Sequence, residues 1–201
     1  MTWEVLNVIG TMAFAISGAI IAMEEDYDLL GVLILGLATA FGGGIIRNIL
    51  IDVPMSTLWE QDILIKVTVL IIIVVFLIPD NWILFTKGWL NFFDAVGLST
   101  FAIQGALYAY AAEHSLAPII MAAVMTGTGG GIVRDLLAGR KPTVLRYDIY
   151  AAWAILAGVF IGTGIVDKPW ELYVLCVVLI TLRLFSARYR WKLPHRYLQT
   201  L

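Results

Sequence analysis

Long apolar runs separated by short polar connections constrain the fold of this 201-residue sequence more than any other feature. A bilayer core of about 30 Å requires roughly 20 mostly apolar residues in a helix. Seven stretches reach or approach that length, at 5–23, 29–46, 63–78, 89–112, 115–133, 149–166 and 170–185. Because the runs are continuous and not alternating, they favour helices over a β-barrel. The sequence therefore predicts an all-α membrane protein with seven transmembrane helices.

Composition supports this class and excludes others. Hydrophobic residues make up 61% of the chain and charged residues 14%, against about 45–50% and 25% in soluble domains. The net charge is −2, with no basic block before the C-terminus, so nucleic acid is not an expected partner. The lone Cys176 gives no disulfide, and His114 and His195 are far apart. We therefore expect no metal site, no cofactor and no enzymatic activity.

The distribution of Lys and Arg predicts the orientation in the membrane, because cytoplasmic loops carry the excess of positive charge. With the N-terminus outside, ten basic residues fall on the inner side, namely Lys87, Arg134, Arg140, Lys141, Arg146, Arg183, Arg188, Arg190, Lys192 and Arg196. Three fall on the outer side, namely Arg47, Lys66 and Lys168. We expect a multi-pass protein of the cell inner membrane with a cytoplasmic C-terminus, whose basic tail contacts anionic lipid headgroups.

The sequence contains an internal repeat. The segment from Gly42 to Leu50 matches that from Gly129 to Leu137 at an offset of 87 residues, and 14–19 matches 101–106 at the same offset. Further matches are Gly10 with Gly97 and Asn7 with Asp94. One membrane domain is therefore expected to contain a first unit at 1–87, a second at 88–167, a seventh helix at 168–187 and a basic tail at 188–201.

Three spans per unit reverse the orientation of the second copy. Inverted repeats of this kind place interrupted helices at matching positions around a path near the middle of the membrane. Here the matching elements are the second and fifth spans.

Each of these two spans contains three consecutive glycines, Gly42, Gly43 and Gly44 in one and Gly129, Gly130 and Gly131 in the other. A helical glycine costs roughly 1 kcal/mol relative to alanine, so such a run favours a kink or an unwound segment whose carbonyls line a path. The alternative is that the glycines only allow helices to pack closely. Thr39, Thr126 and Thr128 lie at a similar depth, and their hydroxyls either line the path or bond to their own helix.

Polar residues follow the glycines, and ionisable groups at such depth are functional candidates by default. They are Arg47 and Asn48 in the first unit and Arg134 and Asp135 in the second, joined by Asn7, Asp94, Ser17 and Gln104 at matching positions. The two arginines balance the two aspartates. The alternatives are structural pairs or headgroup contacts for the charges, a helix-start role for Asn7 and Asp94, and bonds between helices for Ser17 and Gln104. Arg134 and Asp135 are adjacent and point in different directions, so they need not neutralise each other.

The motifs Gly42–Asn48 and Gly127–Asp135, followed by Arg140–Pro142, resemble the prokaryotic branch of the trimeric intracellular cation (TRIC) channel family over about residues 1 to 190. The resemblance implies a homotrimer in which each protomer contains a pore lined by kinked second and fifth helices. It implies conduction of monovalent cations, chiefly potassium, with Arg47, Asn48, Arg134 and Asp135 at or near the pore. Because an arginine near a cation path opposes cations unless it is paired or acts as a gate, we predict that Arg134 partly occludes the pore. Animal members carry Lys-Glu-Val in these helices, so their lipid and calcium regulation is not transferred, although a bound lipid is compatible with the family.

Two other functions remain open on the sequence. The same bacterial relatives are also described as glycine transporters, and helix N-termini at a glycine break would attract a carboxylate while Asp94 or Asp135 holds an ammonium group. A membrane scaffold with dry, packed glycines is the third possibility. The chain lacks a Walker-type nucleotide loop, so an ATP-driven pump is not expected.

Overall fold

A computed structural model describes residues 2–79, 88–145 and 149–191. Eight α-helices and one short 3-10 helix occur in these ranges, and no strand does. The helices are α1 (Thr2–Glu24), α2 (Leu29–Leu50), α3 (Ser56–Trp59), α4 (Asp62–Phe76), α5 (Trp89–Ala111), α6 (Leu116–Leu137), α7 (Tyr150–Gly162) and α8 (Pro169–Arg188), with the 3-10 helix at Thr143–Leu145. The all-helical prediction is therefore confirmed, and each predicted apolar run coincides with one of the seven longer helices.

Among the described residues, four helices are long and apolar enough to cross a membrane, at Glu4–Glu24, Leu29–Leu50, Leu116–Leu137 and Pro169–Arg188. The four-residue helix α3 was not predicted from the sequence. Five residues of the sequence interpretation lie outside the described residues, namely Lys87, Arg146, Lys192, His195 and Arg196.

Local sequence signals set the start of helices α2 and α8. The side chain of Asp28 caps α2, because its Oδ1 accepts a hydrogen bond of 2.8 Å from the backbone of Gly31. Helix α8 begins with Pro169, and the carboxylate of Glu171 accepts from the backbone of Lys168 at 3.1 Å. Both are common devices for satisfying the free amides of a first turn.

Helices α2 and α6 cross at their glycines. A Cβ atom at Gly43 would lie against the carbonyl oxygen of Thr126, and one at Gly130 would lie against the carbonyl oxygen of Thr39, both closer than real Cβ atoms approach. The pairing of early residues in one helix with late residues in the other shows that the two helices run antiparallel. Their backbones approach this closely because no side chain stands between them.

Both helices remain α-helical through their glycine runs. Of the two effects predicted for these glycines, the unwound segment is therefore wrong, whereas the kink stays a prediction. The missing side chains allow the two helices to pack closely.

A similar relationship joins α1 and α5. Phe14 and Phe101, at matching positions of the repeat, pack edge to face with ring centroids 5.3 Å apart. Gly97 lies against the Phe14 ring, and Gly10 lies against Thr100 and Phe101. Small residues on the first and fourth spans thus form contacts within the chain.

The crossing point fixes where the two buried arginines lie. Arg47 and Arg134 each follow the crossing glycine of their helix by four residues, which is about 6 Å along the helix axis. Because the helices are antiparallel, the arginines lie on opposite sides of the crossing. Each arginine residue is only 3% exposed.

Candidate functional site

Arg134 is the centre of a buried ionic cluster. Its Nη1 lies 2.9 Å from Oδ1 of Asp94 and also donates to the hydroxyl of Ser17. Its Nε and Nη2 both lie 2.8 Å from Oδ1 of Asp135. The neighbours Arg134 and Asp135, whose pairing the sequence left open, do form a pair, because the long arginine side chain folds back and its planar guanidinium presents several donors at once.

Arg183 of helix α8 joins the same cluster. Its Nη2 lies 3.9 Å from Oδ2 of Asp94, and its guanidinium lies 4.6 Å from the centroid of the Tyr150 ring. The sequence interpretation counted Arg183 among the charges on the inner side, but its side chain is only 2% exposed. Two arginines and two aspartates therefore balance within this end of the helix bundle.

Asp135 also ties the following loop to the cluster. Its Oδ2 accepts from the backbone of Thr143 at 2.8 Å and from the Thr143 hydroxyl at 3.1 Å. The carboxylate thus binds Arg134 with one oxygen and the 3-10 helix with the other.

Arg47 occupies the equivalent position in α2 but has different partners. Its Nε and Nη2 donate to Oδ1 of Asn48 at 3.1 and 2.8 Å, and its guanidinium lies 3.8 Å from the centroid of the Tyr108 ring. In the part of the chain that the structure describes, no carboxylate forms an ion pair with Arg47. Arg47 is therefore surrounded by an amide and an aromatic ring, whereas Arg134 is surrounded by carboxylates.

A polar network connects this end to helix α1. The amide nitrogen of Asn48 donates to the Thr57 hydroxyl at 3.1 Å, and Gln61 Nε2 donates to the Thr57 backbone oxygen at 3.1 Å. Asn7 in turn donates to Oε1 of Gln61 at 2.8 Å. The short helix α3 is thereby held against the end of α2 that contains Arg47.

The remaining predicted polar residues lie within helices, where they are buried or form hydrogen bonds to other parts of the chain. Asn7 and Asp94 lie inside α1 and α5, not at their starts, so neither caps a helix. Ser17 bonds between helices, and Gln104 is buried in α5.

The three threonine hydroxyls bond back to their own helices. Those of Thr39, Thr126 and Thr128 donate to the carbonyls four residues earlier, at 2.6, 2.6 and 2.7 Å. This was the alternative to lining a path.

A cavity of about 460 Å³ opens beside the ionic cluster. Its lining combines apolar residues with charged and polar ones, namely Ile21, Leu90, Arg134, Asp135, Gly139, Arg140, Lys141 and Thr143. An open cavity therefore reaches the buried pair of Arg134 and Asp135 from one end of the bundle.

Arg140 connects two loops at this cavity. Its Nη1 lies 2.9 Å from Oε2 of Glu24 and its Nη2 lies 2.5 Å from Oε1 of Glu25. Partial burial alone would lower the pKa of Arg140, but the hydrogen bonds and charges of Glu24 and Glu25 outweigh it and raise the pKa. The guanidinium therefore stays charged and joins the α1–α2 turn to the α6–α7 loop.

The chain matches one protein-family model, described as Glycine transporter, over residues 4–80 and 91–164. It is 56% identical over 196 residues to the UPF0126 membrane protein YvgT of Bacillus subtilis, which covers 98% of this chain and 97% of that protein.

Two solved structures that share this fold are TRIC channels. A crystal structure of a prokaryotic TRIC channel in 0.5 M KCl superimposes with a TM-score of 0.85 at 35% identity, covering 95% of this chain and 98% of the other. The TRIC trimeric intracellular cation channel orthologue from Rhodobacter sphaeroides superimposes with a TM-score of 0.82 at 28% identity, covering 93% and 97%. Identity and coverage together make these relationships family relationships and not chance likenesses of helical bundles.

Proposed function

The chain belongs to the TRIC channel family, and from that membership we infer that this membrane protein is a cation channel that conducts potassium. The observation that carries the proposal is the crossing of α2 and α6. Two glycine-rich helices meet there without side chains between them, and a buried arginine lies on each side of the crossing. The similarity of this chain to solved structures of TRIC channels supports conduction through this region.

We propose that the pore runs through each protomer along α2 and α6. The cavity supplies its entrance at one end, and Arg134 and Asp135 are among the residues that line it. Since Arg134 is held by Asp94, Asp135 and Ser17, its guanidinium occludes the path in this conformation. Opening then requires that these contacts rearrange so that the guanidinium moves out of the path.

The proposed membrane arrangement has seven transmembrane helices in two inverted repeats and a final helix. The antiparallel crossing of α2 and α6 supports it, and so do the two segments that the family model matches, since they nearly coincide with the two repeat units. The ion pairs from Arg140 to Glu24 and Glu25 bring the α1–α2 turn and the α6–α7 loop to one end of the bundle. Inverted three-helix units require that arrangement.

The orientation proposed from the sequence is unchanged by the burial of three arginines. Arg134 and Arg183 no longer count as surface charges on the inner side, which leaves eight, and Arg47 no longer counts on the outer side, which leaves two. The excess still favours a cytoplasmic C-terminus in the cell inner membrane. In this arrangement the cavity opens toward the cytoplasm.

We further propose that the protein is a homotrimer surrounded by membrane lipid. The orthologue from Rhodobacter sphaeroides is described as trimeric. Large apolar side chains point outward along α8, where Val174 is 53% and Val177 63% exposed. Exposed apolar faces of this kind contact lipid or a neighbouring protomer.

Transport of glycine or another small amino acid is the second candidate function, because the matching family model is described as Glycine transporter. The buried carboxylates argue against it in this conformation. Asp94 and Asp135 are both engaged by Arg134, so neither is available for a substrate ammonium group.

Cysteine accessibility tests the proposed pore. We expect that Leu90→Cys, in a Cys176→Ser background, allows a water-soluble thiol reagent to reduce the potassium current, because Leu90 lines the cavity. The matched control is Leu136→Cys at the same end, where the side chain is 61% exposed but outside the cavity lining. Equal sensitivity of both variants would contradict the assignment of the cavity to the conduction path.

A further inference from the structure

The two halves of the proposed path differ in charge although they match in sequence. Asn7 and Asn48 in the first half occupy the positions of Asp94 and Asp135 in the second. The arginines are retained at both matching positions. The first half therefore has lost two carboxylates relative to the second without losing its buried cation.

Geometry shows that this difference bears on the arginines directly. Oδ1 of Asp135 accepts from Nε and Nη2 of Arg134, and Oδ1 of Asn48 accepts from the same two atoms of Arg47. The other side-chain atom contacts a threonine in both cases, Thr143 or Thr57. The partner types match between the halves, but the threonine hydroxyl donates to Asp135 and accepts from Asn48, and only the second half has the carboxylate charge.

The surroundings of Arg47 do not restore the balance. The guanidinium packs on the Tyr108 ring at 3.8 Å, and that contact supplies quadrupole attraction without a net negative charge. Asp52 and Glu60 lie on the same connection but are exposed, so solvent and salt screen them. At the other end, Arg134 and Arg183 are balanced by Asp94 and Asp135.

We propose that the uncompensated charge of Arg47, left by Asn48 in the position of Asp135, is the main electrostatic barrier to cations and makes the current rectify. This inference rests on the proposed channel function. A buried charge in a low-dielectric constriction acts on a passing ion far more strongly than a surface charge does. Potassium that enters from the Arg47 end meets this barrier first. The current in that direction is therefore smaller than the current from the Arg134 end.

Single-channel recording of Asn48→Asp tests the inference. Asp135 shows that an aspartate at this position binds the arginine and a threonine hydroxyl together, so the variant has a structural precedent within the same chain. We expect the potassium conductance to rise by at least about twofold and the rectification to disappear. The potassium-to-chloride permeability ratio from the reversal potential should rise as well.

Two comparisons separate this effect from a general surface charge. Ser56→Asp adds the same charge on an exposed residue of the same connection and should change neither rectification nor reversal potential. Raising the KCl concentration to about 1 M should leave most of the Asn48→Asp effect, because a buried charge is screened much less than an exposed one. The Leu90→Cys variant with thiol reagent on one side identifies which end faces that side.

The outcomes are distinct. If the wild type conducts potassium and Asn48→Asp has the same conductance and rectification, the inference is overturned and the channel function stands. An effect of Ser56→Asp equal to that of Asn48→Asp also overturns it. Absence of current in wild type and in all variants overturns the channel function and the inference together.

Discussion

Nη1 of Arg134 lies 2.9 Å from Oδ1 of Asp94, and both side chains are more than nine-tenths buried. The pair joins α6 to α5 across 40 residues of sequence. A buried charge is tolerated when its partner remains, and removing one partner leaves the other without compensation. The packing of these helices and the closure of the proposed path therefore depend on the same contact.

Asp94→Asn should destabilise the protein by about 3–5 kcal/mol. The substitution keeps the shape of the side chain but removes a charge that faces Arg134 and Arg183. Thermal unfolding in detergent, followed by intrinsic fluorescence, measures the loss. The control is Asp62→Asn, which breaks the exposed pair with Lys66 and should cost about 0–1 kcal/mol; equal losses would mean that the buried pair contributes nothing special.

Gly43→Ala should weaken the α2–α6 crossing, because the new methyl group would press on the carbonyl oxygen of Thr126. We expect a loss of about 1–3 kcal/mol from overpacking. In Gly44→Ala the nearest atoms lie 3.8 Å from the added methyl group, so this neighbouring variant should lose little or no stability. Comparison of their unfolding temperatures checks the prediction, and a Gly44→Ala loss as large as that of Gly43→Ala would refute it.

Arg140→Gln should open the cavity without unfolding the protein. The side chain of Arg140 is 32% exposed and its pairs with Glu24 and Glu25 lie at the surface, so we expect a stability change below about 1 kcal/mol. Loss of the link between the two loops should speed the reaction of Leu90→Cys with a thiol reagent. An unchanged labelling rate would show that Arg140 does not restrict access.

Removing the occluding guanidinium should increase basal potassium flux. Arg134→Gln alone leaves Asp135 and Asp94 short of a cation, so the double variant Arg134→Gln with Asp135→Asn keeps the local charge unchanged. We expect faster potassium flux from liposomes containing this double variant than from wild type. A flux equal to wild type, with the variant still folded by size-exclusion chromatography, would exclude Arg134 as the closing element.

Much of the architecture could be predicted because membrane helices are recognisable in a sequence as long, continuous apolar runs. The repeat also identified Arg47, Arg134, Asp94 and Asp135 as the ionisable residues of interest. Glycine runs were less informative, since a run that permits unwinding permits close packing equally well. The choice between the two depended on Thr126 and Thr39 of the opposing helices, which no local pattern reveals.

Other site residues could not be found from sequence alone. Tyr108 contacts Arg47 across 61 positions, and nothing near it distinguishes it from an ordinary interfacial tyrosine. Arg183 lies among apolar residues but close to a helix end. In sequence, a buried arginine at such a position cannot be distinguished from a surface arginine that sets the orientation in the membrane. Thr57 follows Asn48 by nine residues and Thr143 follows Asp135 by eight. This near-equal spacing within the repeat could have predicted that both threonines contact the site.

Parallel flux measurements on purified protein in liposomes test the central claim most directly. An outward potassium gradient with a potential-sensitive dye reports conduction, and radiolabelled glycine uptake by the same preparation reports transport. A channel predicts a rapid dye response that does not saturate with potassium, together with no glycine accumulation above protein-free liposomes. Saturable glycine uptake without a potassium-dependent potential would contradict the account.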